Sequence, residues 1–359
     1  MRPCSEQIDV RDVTAERAKG HSRVSAVVDG SSVWFESDDA ELVPTGEAFG
    51  TAFLIPALHA GGTLDIEPPT DARWFQGAEQ LIEIFADWWE LPRCQPTGPI
   101  ALERSTVART GLCFTGGVDS FFTLLRGGLD IDTLIHVQGF DIPLTDMRRL
   151  AAAEHDARAI ARALDIGCVV VRSNLREHPL FQPVPWDHTH GGALIAVGHL
   201  LSGSIGRLII SSSVHRSATR THGTDRRIDA KWSSTALEVV HTGEDWWRYQ
   251  KLQQIANEPL VLRHLRVCWE HRTEAPNCSQ CEKCLRTMVT LHNAGTLTAT
   301  QQFDDGPIAE RLDRIEYIVG SGNRREYQYL IEEVSDPTVR DALARLSARS
   351  RPPSPVLDE

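Results

Sequence analysis

Leu112-Cys113-Phe114-Thr115-Gly116-Gly117-Val118-Asp119-Ser120-Phe121-Phe122-Thr123-Leu124-Leu125 is the stretch whose reading decides the fold. Leu112, Cys113 and Phe114 form a short apolar run, the pattern of a buried strand. Thr115, Gly116 and Gly117 break that run, and Asp119 and Ser120 stand where a helix begins. Phe121, Phe122, Leu124 and Leu125 supply the helix's apolar face. A strand, a glycine turn and a helix N-terminus together favour an anion. Backbone N–H groups converge there, and the helix dipole attracts negative charge. Two adjacent glycines let the main chain approach a phosphate with no Cβ in the way.

Outward from this turn, strands and helices alternate. Thr133–Val137 is a second strand, residues 145–164 a long helix, Cys168–Val171 a third strand, Gly191–Leu201 a helix and Arg207–Ser211 a fourth strand. Leu237–Val240 reads as a fifth strand, followed by a helix over about 245–255. Such alternation implies an α/β fold: a parallel sheet with helices on both faces, whose ligands lie beyond the carboxyl ends of the strands. The Thr-Gly-Gly turn follows the first strand and meets that rule.

The flanks differ in character. Residues 1 to about 20 are polar and expected to be loosely held. Residues 23–37 alternate around Asp29-Gly30-Ser31-Ser32, the pattern of a β-hairpin. Thr51–Ile55 and Thr63–Ile66 are read as strands, and Gly77–Leu91 as a helix. Pro92, Pro96, Gly98 and Pro99 mark a linker. A small β-rich N-terminal domain is therefore expected over 1–98, a nucleotide-type domain over 108–295 and a helical extension over 296–346. Its helices are read at Ile308–Val319, Tyr327–Val334 and Val339–Leu346, and a polar tail at 347–359 is expected to be disordered.

The chain has 359 residues, 41% of them hydrophobic and 24% charged, with a net charge of −12. That charge disfavours a broad nucleic-acid surface and points to a small-molecule substrate. No apolar stretch approaches the roughly 20 residues that span a bilayer, and residues 1–13 have no signal-peptide core. A cytoplasmic protein with no membrane partner is expected, with a homodimer left open. Cys113 and Cys168 lie in apolar runs and are read as reduced core thiols. Cys4 and Cys94 are isolated. Cys4 does not directly follow Met1, so no N-terminal glutaminase is read and nitrogen would come from ammonia, an amine or a partner.

Thr115-Gly-Gly-Val-Asp-Ser120 lacks the spaced glycines and Lys-Ser/Thr pair of a P-loop. It resembles the SGGxDS signature of the PP-loop ATP pyrophosphatases, the adenine nucleotide alpha-hydrolase-like superfamily, with Thr115 keeping the first serine's hydroxyl. The resemblance implies a HUP-type Rossmann-like domain. It also implies that the turn holds the phosphates of ATP while ATP is split to AMP and pyrophosphate. On that reading Thr115, Gly116, Gly117, Asp119 and Ser120 bind phosphate, with Asp119 also acting through Mg²⁺. In this fold the ends of the second and fourth strands flank the nucleotide, which points to Gly139, Phe140 and Ser211. The alternative for these three is plain turn chemistry. Cations must converge on a pyrophosphate leaving group. Arg216, Arg220, Lys231, Arg248 and Lys251 are the candidates, with Lys251 preferred because related enzymes carry a lysine ahead of their cysteine cluster. Any one of the five can instead be a solvated surface charge.

Cys268, Cys278, Cys281 and Cys284 fall within 17 residues. Four thiolates at this spacing close a tetrahedron around Zn²⁺. A redox dithiol needs only two of them, and an Fe–S cluster can use all four. The run Cys268–Met288, with Arg286 after the last cysteine, resembles the zinc-containing 7-cyano-7-deazaguanine synthase branch of the superfamily. The resemblance covers about residues 110–295 and implies a structural zinc beside the active site. The branch's substrate site is not matched.

Residues 178–241 hold seven histidines. The segment from Trp186 to Gly192 reads as a loop in which His188 and His190 share a face if it is extended, so a second metal site, substrate contacts and scattered surface histidines are all open. The expected activity is an ATP-dependent ligase or amide synthetase that adenylates a small carboxylate or carbonyl oxygen, with Asp119, Ser120 and Lys251 in catalytic roles. A PP-loop sulfurtransferase and a non-enzymatic nucleotide- or zinc-binding regulator are the rivals.

Overall fold

The computed structural model describes residues 4–318 and 321–349. In chain order its elements are β1 (Glu6–Ala18), β2 (His21–Val28), β3 (Ser31–Ser37), α1 (Gly46–His59), β4 (Gly62–Ile66), α2 (Ala72–Trp89), β5 (Thr110–Cys113), α3 (Val118–Arg126), β6 (Thr133–Gln138), α4 (Met147–Ala163), β7 (Gly167–Ser173), α5 (Trp186–Leu200), β8 (Arg207–Ser211), β9 (Glu238–Thr242), α6 (Arg248–Ile255), α7 (Pro259–His264), α8 (Glu282–Asn293), α9 (Ile308–Arg314), α10 (Ser321–Glu333) and α11 (Pro337–Ala348). Among the described residues no helix is long and apolar enough to cross a membrane.

The nine strands form one mostly parallel sheet in the order β4-β1-β2-β3-β7-β6-β5-β8-β9. The run β7-β6-β5-β8-β9 is parallel throughout, as the alternating sequence implies. β5 is short and central. Leu112 and Cys113 are buried, and β5 pairs with β6 on one side and β8 on the other. A strand covered this way needs no polar face, which is why it ends in the apolar run Leu112–Phe114.

The N-terminal segment departs from expectation in two places. Residues 6–18 are a 13-residue strand, not a loose lead-in. Only Ile8 and Val10 are buried there, so apolar alternation fades along β1 while backbone pairing with β2 and β4 continues. Thr51–Ile55 lies inside α1 and is not a strand. Residues 46–58 of α1 are buried on every face, so the helix leaves no polar period to read, and a short apolar run cannot separate the two states. β3 also pairs with β7 through Phe35–Ser173 and Glu36–Arg172, so the N-terminal strands extend the common sheet across the expected boundary near residue 98.

The chain groups into two compact units. One holds residues 4–114, 130–211 and 221–242; the other holds 115–129, 212–220 and 243–349. The first contains the whole sheet and a core of Val24, Phe35, Phe49, Phe53, Trp74, Phe85 and Leu208 among others. A disulfide joins Cys4 to Cys94 in this unit, with Cα atoms 5.7 Å apart. In the second unit α3 packs on α6, α6 on α8, and α10 on α6, α8 and α11, around buried Leu252, Leu285, Met288, Tyr327 and Leu343. The C-terminal helices are close to those expected, but α9 stops at Arg314 and α11 runs on through Ser347 to Ala348. Of the tail expected at 347–359, residues 350–359 lie outside the described residues, as does Val319.

Candidate functional site

The second unit opens with the glycine turn. Gly116 has φ +76°, in the left-handed region that costs a non-glycine residue. Gly117 is the N-cap of α3, in extended conformation, and no side chain of the described residues caps it. Asp119 and Ser120 therefore do not cap the helix. They lie inside its first turn, and Ser120 Oγ donates to Gly117 O at 3.1 Å. The leading N–H groups of α3 are left without a side-chain acceptor, the condition under which a helix start takes up an anion. The segment after α7 straps the turn. Arg266 N donates to Gly116 O at 2.8 Å, and its guanidinium donates to Thr115 O at 2.8 Å.

Two cations of α6 close on Asp119. Arg248 and Lys251 are three residues apart and share a helix face. Lys251 Nζ donates to Asp119 Oδ1 at 3.0 Å, and Arg248 donates to Asp119 Oδ2. Lys251 is 1% exposed and also donates to the Ser212 carbonyl. Burial pushes the Asp119 carboxyl up, but Arg248 and Lys251 outweigh it, and the group lies below the ordinary carboxylate value. Lys283, at the start of α8, acts in the same direction.

A second layer of charge adjoins in the same unit. Arg286 donates to Glu326 of α10 at 2.5 Å and lies 3.3 Å from Glu282, which also accepts from the Tyr327 hydroxyl at 2.8 Å. Burial raises the Glu326 carboxyl above its usual value, partly offset by Arg286 and Arg248. Glu326 and Tyr327 were not among the sequence candidates. A glutamate and a tyrosine on a helix carry no motif, and only the fold brings them to Arg286.

The four cysteines converge. Cys268, Cys278, Cys281 and Cys284 are all buried, with sulfurs within 4.8 Å of one another. Cys268 Sγ and Cys281 Sγ are 4.0 Å apart, and Cys278 Sγ and Cys284 Sγ 3.9 Å. A tetrahedron with metal–sulfur bonds of about 2.3 Å has edges of about 3.8 Å, so the cluster can hold a metal such as zinc. Backbone N–H groups of His271, Cys281 and Cys284 point at Cys268, Cys278 and Cys281, as thiolate ligation favours. The last cysteine lies in the first turn of α8, so a bound ion would fix the start of that helix.

Other sequence candidates are used differently. Gly139 has φ +93°, and an added Cβ would sit 2.1 Å from Ser173 O. The close approach of β7 by itself requires a glycine here. Phe140 is buried against the edge of Trp186, and its carbonyl accepts from Arg176 at 2.6 Å. Ser211 ends β8 opposite Thr242. Lys231 lies in the first unit and donates to Gln80 Oε1 at 2.7 Å, while Arg216 pairs with Glu244 and Asp245 in the second. Arg220 is exposed. Of the five candidate cations, Arg248 and Lys251 are the two at Asp119.

The histidines divide by role. Trp186–Gly192 is the start of α5, and the loop expected there is absent. Positions two apart diverge on a helix. His188 stacks on Trp89 and meets His59 at 3.3 Å, whereas His190 Nδ1 donates to Trp186 O at 3.1 Å and its Nε2 lies 3.4 Å from Thr224 Oγ1. These two do not form a metal pair, and among the described residues the cysteine cluster is the group that can hold an ion. His178 and His199 are buried and bonded to the carbonyls of Val28 and Trp232. His241 Nδ1 donates to fully buried Asp229 at 2.7 Å. Cys113 is an inert core thiol, its pKa pushed up to about 12 by burial and by Asp229, and burial pushes Cys168 to about 11. No family model, curated protein or solved structure matches this chain.

Proposed function

We propose that the chain is an ATP-dependent, AMP-forming ligase of the PP-loop kind, in which the turn from Thr115 to Ser120 receives the phosphates. The observation that carries this reading is the pairing of Lys251 and Arg248 with Asp119 inside the first turn of α3, at a helix start with no side-chain cap. Two cations converging on one helix start do more than an ordinary strand–helix turn requires. A turn that stabilises charge on departing pyrophosphate does.

In this scheme the N–H groups of α3 and the Ser120 hydroxyl bind phosphate oxygens. Lys251 and Arg248, held in place by Asp119, offset the charge that builds on the leaving group. A small carboxylate or carbonyl oxygen attacks the α-phosphorus, the bond to the bridging oxygen breaks, and pyrophosphate leaves. Ammonia or an amine then displaces AMP and gives up its proton to solvent. Magnesium fits less well, because Arg248 and Lys251 engage both Asp119 oxygens, so no step is assigned to it. Zinc in the cysteine cluster would be structural: four thiolates leave no open position for water.

The test is AMP and pyrophosphate release from ATP with a panel of small carboxylic acids, comparing wild type with Asp119→Ala and Lys251→Ala. Both variants are expected to lose release by a factor of about 10² or more, the scale of removing one charge-stabilising group. Unchanged release in Asp119→Ala sinks the assignment. Iron and sulfide in the purified protein would turn the reading toward sulfur transfer.

A further inference from the structure

At the amino ends of β5, β8 and β9, the edge opposite to the one where α/β sheets take their ligands, lies a cavity of about 510 Å³. Its wall includes Arg73 in the first turn of α2, Arg109 just before β5 and Arg207 at the start of β8. Among the described residues Glu238 is the one carboxylate lining it. All of these residues belong to the first unit.

The charges there are unevenly matched. Arg207 pairs with Glu238 at 2.7 Å. Among the described residues, Arg73's side chain donates to the Ser234 carbonyl alone, at 3.3 Å. No carboxylate is paired with Arg73 or Arg109 among the described residues. The two acids nearby are committed to main-chain donors: Asp71 accepts from the N–H of Arg73 and from Thr235, and Asp132 accepts from the N–H of Thr110 at 2.7 Å. Two arginines thus line one cavity with no carboxylate partner among the described residues. Three arginines against one glutamate leave this wall locally positive in a chain of net charge −12.

We propose that this cavity is a binding site for a phosphate-bearing small molecule, distinct from the glycine turn. Guanidinium forks match phosphate oxygens two at a time. The volume lies within the range of about 300–1,000 Å³ typical of small-ligand sites, larger than a bare phosphate needs. The adjoining Thr106 and Thr110 each carry a hydroxyl at the wall. The site stands independently of the ATP reading.

The test is calorimetric titration with inorganic pyrophosphate at low salt of wild type, Arg73→Gln/Arg109→Gln and Lys251→Gln, with circular dichroism as the folding control. Arg73 and Arg109 are exposed, so the double variant keeps the fold. The double variant is expected to lose one pyrophosphate event, weakened about tenfold or more. That loss in a wild type with two events, one of them removed by Lys251→Gln, supports both sites. The same loss with no effect of Lys251→Gln supports the cavity and counts against the turn. A double variant that titrates as wild type does, including no binding by either, overturns the cavity proposal.

Discussion

Lys251 Nζ lies 3.0 Å from Asp119 Oδ1, joining a lysine of α6 to a carboxylate of α3 across 132 residues of sequence. Lys251 is 1% exposed, and such an ammonium is tolerable only while its partner is charged. Removing the partner strands buried Lys251 and leaves the half-buried Arg248, which shares it, without its acid. Asp119→Ala is therefore expected to cost about 3–5 kcal/mol of stability, the usual penalty for breaking one side of a buried pair. Lys251→Met, which removes the charge and keeps the bulk, should cost less while still abolishing pyrophosphate release. Chemical denaturation read by tryptophan fluorescence measures the first effect. Equal costs for the two variants would show that the charges are not what holds this contact.

The same pair sets an acid dependence. The Asp119 carboxyl is lowered in the folded state: burial opposes this, but Arg248 and Lys251 prevail. A lowered acid contributes stability that is fully present above its unfolded value of about 3.9 and is lost as pH falls through the folded value. The stability gap between wild type and Asp119→Asn should thus be constant near neutrality and shrink as pH drops below about 4. Denaturant midpoints measured at several pH values check this, and a gap that widens in acid would contradict the assigned direction.

Metal removal addresses the cysteine cluster. Elemental analysis is expected to find one zinc per chain, bound by Cys268, Cys278, Cys281 and Cys284. Chelation leaves four buried thiols with no shared cation, and Cys284 sits in the first turn of α8. Hydrogen exchange should then quicken across residues 264–293 while β5 to β9 keep their protection. Cys281→Ser should reproduce the pattern without chelator. Unaltered exchange in α8 on full zinc loss would leave the ion no structural role.

Much of this was legible in the sequence. The parallel run β5 to β9 was, because buried strands read as short apolar runs between helical periods. The turn and the four cysteines were, because glycine conformation and thiolate ligation need particular residues at particular spacings. Three things were not. β1 is held by main-chain pairing that leaves little trace in side chains. α1 is buried on all faces and lost its period. Glu326 reaches Arg286 across 40 residues, through the packing of α10 on α8. At Gly139 the sequence shows that a Cβ is unwelcome, and the fold adds that a neighbouring strand excludes it, whether or not a ligand does so too.

That last distinction can be measured. Gly139→Ala meets both a positive φ and a backbone oxygen 2.1 Å from the new Cβ. A destabilisation of about 2 kcal/mol or more is expected from the left-handed strain and the forced shift of β7 together. Because the obstruction is Ser173 O, affinity for ATP in the variant that remains folded should match wild type. A loss of affinity without loss of stability would restore the nucleotide role.

The disulfide gives a final expectation. Cys4 and Cys94 close a loop of sequence separation 90, from the start of β1 to the coil after α2. Fixing so long a loop restricts the unfolded chain, and bonds of this kind contribute about 2–4 kcal/mol. Cys4→Ser/Cys94→Ser should lower the denaturant midpoint accordingly, and reductant should shift wild type to the same midpoint while leaving the variant unmoved. Peptide mapping without reductant should recover the Cys4–Cys94 pair and find Cys113 and Cys168 as free thiols, since burial raises both and keeps them unreactive. A wild type indifferent to reductant, with both cysteines alkylated on unfolding, would mean that the two sulfurs are neighbours and not a bond.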